Sequence, residues 1–349
     1  YYVFGRGSLA QLGDLLKPRR EAVDGPVVYF VDHFFRDHEL IGRLPMEKGD
    51  QLHFVDSSSE PEVTRIDAFK EAVSAADSRT PCCVVGIGGG NALDTAKAVA
   101  NLLTNPGKAE DYQGWELVKN PAVYKIGIPT LSGTGSECSR TCVLTNIPKN
   151  LKLGMNSDYT VYDQLLLDPD LLATVPRDQY FYTGIDTFMH CVESLQGSYR
   201  NAIIDAFSVR AVQLCEEIFL SDDMMSEDNR EKMMIASYIG GMAAGNVGVI
   251  HPFSAGLGVV LHVAHGLGNC LALNVLGDIY PKEYKQFRTM IERQGVNLPT
   301  GICKDLTEEQ YEGLYRGCIV HEKPLTNALG PDFKQILTRE NLIERYKSI

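Results

Sequence analysis

The 349-residue sequence has one tryptophan, a shortage of positive charge, and no apolar run near the ~20 residues a membrane helix needs. Lys and Arg total 33 against 45 Asp and Glu, a formal net charge of −12. That balance disfavours phosphate backbones and anionic membranes, so neither nucleic acid nor a lipid bilayer is an expected partner. Nine cysteines occur, at 82, 83, 138, 142, 191, 215, 270, 303 and 318, and no two have C-x-x-C spacing. The pattern argues against a thiolate zinc site and against a disulfide framework. It suits reduced, mostly buried thiols in a cytoplasmic protein. The N-terminus lacks the basic-then-apolar order of a secretion signal, and because the first residue is Tyr1 rather than Met a few upstream residues are expected. No internal repeat or low-complexity segment breaks the chain.

What is present is an ordinary globular composition, 44% hydrophobic and 22% charged, over a length that suits two domains. In the first half, short β-rich runs alternate with helical patterns. "PVVYFVD" (26–32), "QLHFVD" (51–56), "CCVVGIGGG" (82–90) and "YKIGIPT" (124–130) read as strands. Val63, Ile66, Phe69 and Val73 give 62–76 a helical spacing, and the Ala-rich run 92–103 reads as a second helix. Near-continuous apolar strands between helices imply a parallel sheet covered on both faces. After Asp168-Pro169, a helix-start signal, helical spacing takes over through 180–196, 202–219, 229–247 and 307–319. The expected fold class is therefore an α/β, Rossmann-like dinucleotide-binding domain over 1–167 and an all-α domain over 168–349.

Two glycine-rich loops carry the first chemical signal. "GIGGGNALDTAK" (86–97) sets Gly88, Gly89 and Gly90 between a strand and a helix N-terminus, where free amides favour phosphate oxygens. It is not a G-x-G-x-x-G fingerprint, and a tight strand–helix turn would read the same. "IPTLSGTGSECSRT" (128–141) also follows a strand and adds the hydroxyls of Thr130, Ser132, Thr134 and Ser136. Two such turns at the carboxyl ends of strands in one sheet suit a dinucleotide. Asp32 ends the first of these strands. Its carboxylate could accept from the adenosine ribose hydroxyls, favouring NAD, or could cap the next turn.

The second signal lies in "YFYTGIDTFMHCVESLQG" (180–197). Asp186 and His190, four apart on a helix, share one face, and burying them without partners costs several kcal/mol. His251 and His265 follow in "HPFSAGLGVVLHVAH". On one unbroken helix those two would be ~21 Å apart. A break at Pro252, Gly256 or Gly258 would let both reach Asp186, giving one carboxylate and three imidazoles for a divalent Fe or Zn ion.

The combination of "GGGNALDTAK", "PTLSGTGSE", "GIDTFMH" and the His251/His265 pair resembles the iron-containing (group III) alcohol dehydrogenase family, of dehydroquinate synthase-like fold, over essentially the whole chain. The resemblance implies that Asp186, His190, His251 and His265 are metal ligands. It implies that Gly88–Gly90, Asp94, Thr130 and Ser132 line an NAD site, with Lys152 of "NLKLGMNS" at the nicotinamide-side ribose. It also suggests a homodimer. The family often has a His four residues after the third ligand, where this chain has Ala255, so His262 or bound water would have to relay the proton. More narrowly, "TNPGKAEDYQGWELVKNPAVYKIGIPTLSGTGSECSRT", "LGMNSDYTVYDQ" and "FYTGIDTFMHCVESLQG" resemble the branch that oxidises C8 of 3-deoxy-D-manno-octulosonate (Kdo), before its amination for lipopolysaccharide.

The implied chemistry is oxidation of a primary alcohol by hydride transfer to NAD, with the metal lowering the pKa of the alcohol. Arg140, just past the second loop, is the expected cation for a sugar-acid carboxylate, although a surface or capping role would suit it equally. Tyr112 and Trp115 could line the substrate site or lie in the core. Three other readings stay open: a general dehydrogenase of small alcohols, a dehydroquinate synthase-like cyclase, and a metal- and nucleotide-binding sensor without turnover.

Overall fold

The computed structural model describes residues 1–349. Packing divides them into two units. The first comprises 1–131, 136–146 and 153–174; the second comprises 132–135, 147–152 and 175–349. The change of unit therefore falls at 174/175 rather than 167/168, and two short excursions, 132–135 and 147–152, belong with the second unit.

The first unit is built on a six-stranded sheet, in the order β1-β9-β6-β4-β2-β3. The strands are β1 (Tyr2–Phe4), β2 (Val27–Asp32), β3 (Gln51–Val55), β4 (Cys83–Gly88), β6 (Lys125–Pro129) and β9 (Gln164–Leu167). Every pairing is parallel, as the apolar runs required. Successive residues of β2 face opposite ways: Val28 and Phe30 join one buried core, and Val27, Tyr29 and Val31 join the other. Helix α1 (Leu12–Ala22) and the one-turn α2 (Glu39–Gly42) contribute to the second core. Helices α3 (Val63–Ala76) and α4 (Gly90–Leu102) contribute to the first. A small second sheet, β5 (Gly114–Trp115), β8 (Leu151–Asn156) and β7 (Thr141–Asn146), adds strands that the sequence did not announce.

Asp168 does cap a helical start, accepting from the Asp170 amide, but only a 3₁₀ turn over Pro169–Leu172 follows. Its carboxylate instead ties down the N-terminal segment, accepting from the Gly7 and Leu9 amides at 3.0 Å each.

From Val175 on, the second unit is built of helices: α5 (Arg177–Gln196), α6 (Ala202–Phe219), α7 (Glu227–Gly240), α8 (Ile250–Leu261), α9 (His265–Val275), α10 (Pro281–Gln294), α11 (Glu308–Ile319), α12 (Glu322–Leu329), α13 (Phe333–Ile336) and α14 (Arg339–Lys347). Helix α5 is buried along most of its length, so its polar residues must find partners inside the protein. No single helix is long and apolar enough to cross a membrane.

Candidate metal centre and nucleotide loops

Helix α5 presents Asp186 and His190 one turn apart on its buried face. The expected break between His251 and His265 is real but lies elsewhere. Pro252 sits in the first turn of α8, where a missing amide costs nothing, and α8 runs unbroken past Gly256 and Gly258. The chain reverses instead at His262, whose left-handed conformation (φ 55°) ends α8, and His265 opens α9.

That reversal brings one donor atom from each of Asp186, His190, His251 and His265 within 4.8 Å of all the others. His251 Nε2 lies 3.1 Å and His190 Nε2 3.8 Å from Asp186 Oδ1, and His265 Nε2 lies 3.5 Å from Oδ2. The His190 and His251 rings stack with centroids 4.4 Å apart. Asp186 Oδ2 and His190 Nδ1 are buried and lack hydrogen-bond partners, a costly arrangement for a carboxylate beside imidazoles in a dry site. A divalent cation would satisfy the Asp186 carboxylate, and an O/N donor set of this kind fits iron or zinc.

The charges of Asp186 and His190 agree with that role, whereas His251 must lose a proton to ligate. Burial drives the His190 imidazole down to about 4, so it is neutral and able to ligate. For Asp186, burial is outweighed by His190, His265 and His251, which hold its carboxyl well below the usual range. At His251 burial is likewise outweighed, here by Glu193 and Asp186, which lift it to about 9.

Two supporting residues escaped the sequence reading. Glu193, one turn beyond His190 on α5, contacts His251 Nδ1 and also accepts from the Ile250 amide (2.6 Å) and the Tyr280 hydroxyl (3.3 Å). It thereby turns His251 Nε2 towards Asp186. Asn269, one turn beyond His265, donates to Asp186 Oδ1 at 2.6 Å. Both stand at i+3 or i+4 from a ligand, a spacing that could have flagged them.

His262 itself is exposed and outside the four-residue cluster. Lys152 is buried in the second unit, where a Cβ on Gly258 of α8 would lie 3.7 Å from its Nζ. Arg140 is held by two carboxylates, Glu116 at 2.5 Å and Asp158 at 2.9 Å. Trp115 is exposed and Tyr112 half-buried.

In the first unit β2, β4 and β6 end at Asp32, Gly88 and Pro129. Gly88 has φ 151°, and a Cβ there would lie 2.6 Å from the Ala92 Cβ and 3.0 Å from the Asp32 Cβ, so the turn needs glycine. Gly89 is the cap residue of α4 and Gly90 its first residue, leaving the first-turn amides of a 13-residue helix for an anion. Thr130 is buried, its amide bonded to the Gly88 carbonyl at 3.0 Å. Asp32 caps the following turn through the Phe34 amide and accepts from the Ser57 hydroxyl at 2.8 Å. Asp94 accepts from the Ser136 hydroxyl (2.5 Å) and the Val143 amide (2.9 Å), and burial raises its pKa. Ser132 is buried, and its hydroxyl has no hydrogen-bond partner. The neighbouring Gly133 is fixed by packing within the second unit. Its amide donates to Ser237, its carbonyl accepts from Thr187, and a Cβ would lie 1.6 Å from the Thr183 carbonyl oxygen.

A parallel sheet ending in glycine turns, in a chain whose helical part gathers one carboxylate and three imidazoles, defines the class as a metal-dependent dehydrogenase. Residues 1–169 match the family model described as iron-containing alcohol dehydrogenase, and 180–313 match its C-terminal counterpart. The alcohol dehydrogenase 4 of Saccharomyces cerevisiae is 31% identical over 278 residues, covering 77% of this chain and 71% of that enzyme. The sulfoacetaldehyde reductase of Bilophila wadsworthia is 34% identical over 220 residues, 61% of this chain and 56% of that protein, so the match spans little more than half of that relative's length. Among solved structures, the sulfoacetaldehyde reductase of Bifidobacterium kashiwanohense, in complex with NAD+, superposes with a TM-score of 0.79 at 24% identity, over 99% of this chain and 95% of that one. That likeness establishes the fold. The chain belongs to the iron-containing alcohol dehydrogenase family. It is accordingly an NAD-dependent oxidoreductase acting on an alcohol–aldehyde pair, with one divalent metal ion as its second cofactor.

Proposed function

We propose that the chain oxidises the C8 primary alcohol of Kdo to an aldehyde, with NAD as hydride acceptor, in the cytoplasmic synthesis of 8-amino-Kdo for lipopolysaccharide. The observation that carries the reaction class is the buried cluster of Asp186, His190, His251 and His265. A divalent ion held there supplies Lewis acidity, which stabilises an alkoxide at neutral pH. Around it, Glu193 and Asn269 orient the ligands, and the first-turn amides of α4 are the proposed seat of the NAD pyrophosphate, with Asp32, Asp94 and Thr130 of the first unit completing that site. Ser132 and Lys152, in the second unit, keep the cofactor-contact roles that the resemblance implies. His262, exposed where α8 ends, is the proposed proton route to solvent. Arg140 is the proposed cation for the sugar-acid carboxylate, which would share its guanidinium with Glu116 and Asp158. The working form is proposed to be a homodimer.

The choice of Kdo rests on the three sequence stretches that resemble the Kdo branch. A second reading, reduction of a short polar aldehyde, is favoured by the 34% identity to a sulfoacetaldehyde reductase. Family membership favours both over a cyclase or a sensor. The test is NADH absorbance with NAD and either Kdo or 1-propanol, using protein reloaded with iron or zinc. NADH from Kdo and not from the simple alcohol supports the proposal. NADH from 1-propanol alone, or consumption of NADH only with sulfoacetaldehyde, overturns the Kdo assignment. The Arg140 role fails if Arg140→Ala weakens 1-propanol as much as Kdo.

A further inference from the structure

Helix α11 packs antiparallel on α8 in the second unit. A Cβ on Gly313 would lie 3.0 Å from Val260 Cγ2, and one on Gly317 would lie 3.0 Å from the Gly256 Cα. This register carries the end of α11 towards the first turn of α8, where His251 is. His321 stands there, its amide bonded to the Cys318 carbonyl and its own carbonyl to the Leu325 amide, so the backbone is fixed on both sides. Its Nε2 is sealed from solvent and has no hydrogen-bond partner.

Such an atom costs free energy unless something binds it. The adjoining face of α8 shows where a ligand could lie. His251, Ala255 and Gly258 fall at i, i+4 and i+7, hence on one face. Ala255 and Gly258 are small, and Lys152 Nζ stands beside Gly258. The antiparallel register of α11 on α8 sets His321 at the His251 end of this face, where Lys152 and His251 both act on its charge. Burial first, then those two neighbours, push its imidazole down to about 4. It is therefore a neutral hydrogen-bonding group at physiological pH and not an anion site.

We propose that His321 Nε2 binds a second oxygen of the substrate, the hydroxyl next to the carbon being oxidised, so that the site favours vicinal diols and hydroxy sugars over simple alcohols. The proposal rests on the oxidoreductase reading above. It makes His321 a specificity-determining residue, distinct from the metal ligands. A neutral imidazole can donate to or accept from a hydroxyl, so no proton need be transferred.

The test uses the zinc-loaded full chain labelled with ¹⁵N-histidine. NADH is bound so that no turnover occurs, and 1,2-propanediol and 1-propanol are the probes. The His321 Nε2 resonance, assigned by its loss in His321→Gln, is expected to shift with the diol and not with propanol. In steady state, His321→Ala should lower the ratio of kcat/KM for the diol over propanol about tenfold, the effect of one lost hydrogen bond. His321→Gln should recover part of that ratio. A resonance that ignores both probes, or answers both equally, overturns the proposal, as does an unchanged ratio. If the wild type turns over neither alcohol and Kdo gives no NADH either, the oxidoreductase reading fails, and the resonance still decides the role of His321.

Discussion

Glu193 holds His251 through Nδ1 and the start of α8 through the Ile250 amide, so one carboxylate aims a ligand and anchors its helix. Glu193→Gln is expected to weaken divalent-metal affinity about 10- to 100-fold. Competition against a chromophoric chelator would read this, and an unchanged affinity would mean that His251 aims itself. His251, held up at about 9, is protonated at pH 7 without metal, whereas His190 near 4 is already neutral. A ligand must be deprotonated, so metal binding should release about one proton at pH 7. The sign follows: apparent affinity rises about tenfold per pH unit up to about 9 and flattens above it. Calorimetry in buffers of different ionisation enthalpy would count the proton, and no release at pH 7 would contradict the assignment. At this scale the four clustered residues were legible because Asp and His are conspicuous in apolar helices. Glu193 was not, because a Glu near a helix end reads equally well as a solvated face.

Among the elements, β2, β3, β4 and β6 of the large sheet were the most legible, since parallel strands buried on both faces leave continuous apolar runs, whereas β1 (3 residues) and β9 (4 residues) were too short to be read. The three-stranded sheet was missed because β5 spans only Gly114–Trp115 and gives no period to count. Helix α8 shows a different failure. Its glycines suggested a break, yet Gly256 is there for packing: a Cβ would lie 2.7 Å from the Leu314 carbonyl oxygen on α11. The true turn, at His262, has no glycine to mark it. The second glycine loop was read as a ligand cradle, whereas Gly133 is needed first for contact with α5. Gly133→Ala should destabilise the protein by roughly 3 kcal/mol or more, since backbone must move to admit the methyl group. Thermal denaturation would show this, and a melting temperature within a degree of wild type would mean that the loop is free to shift.

For the whole molecule, composition and alternation foretold an α/β part followed by a helical part. The excursions of 132–135 and 147–152 into the second unit were invisible, because they are set by tertiary contacts such as the Gly133–Ser237 bond. A metal that binds only the folded chain stabilises it by mass action, by about 2.7 kcal/mol at a hundredfold excess over Kd. Chelation should therefore lower the melting temperature, and His190→Ala should abolish the difference between loaded and chelated protein. The most direct test of the central claim is a titration of zinc or iron(II) into chelated protein while NADH formation is followed with a saturating alcohol substrate. Turnover should be absent at the start, rise with added metal and saturate at one equivalent per chain. Turnover that survives chelation, or that remains absent when one equivalent is bound, would contradict that claim.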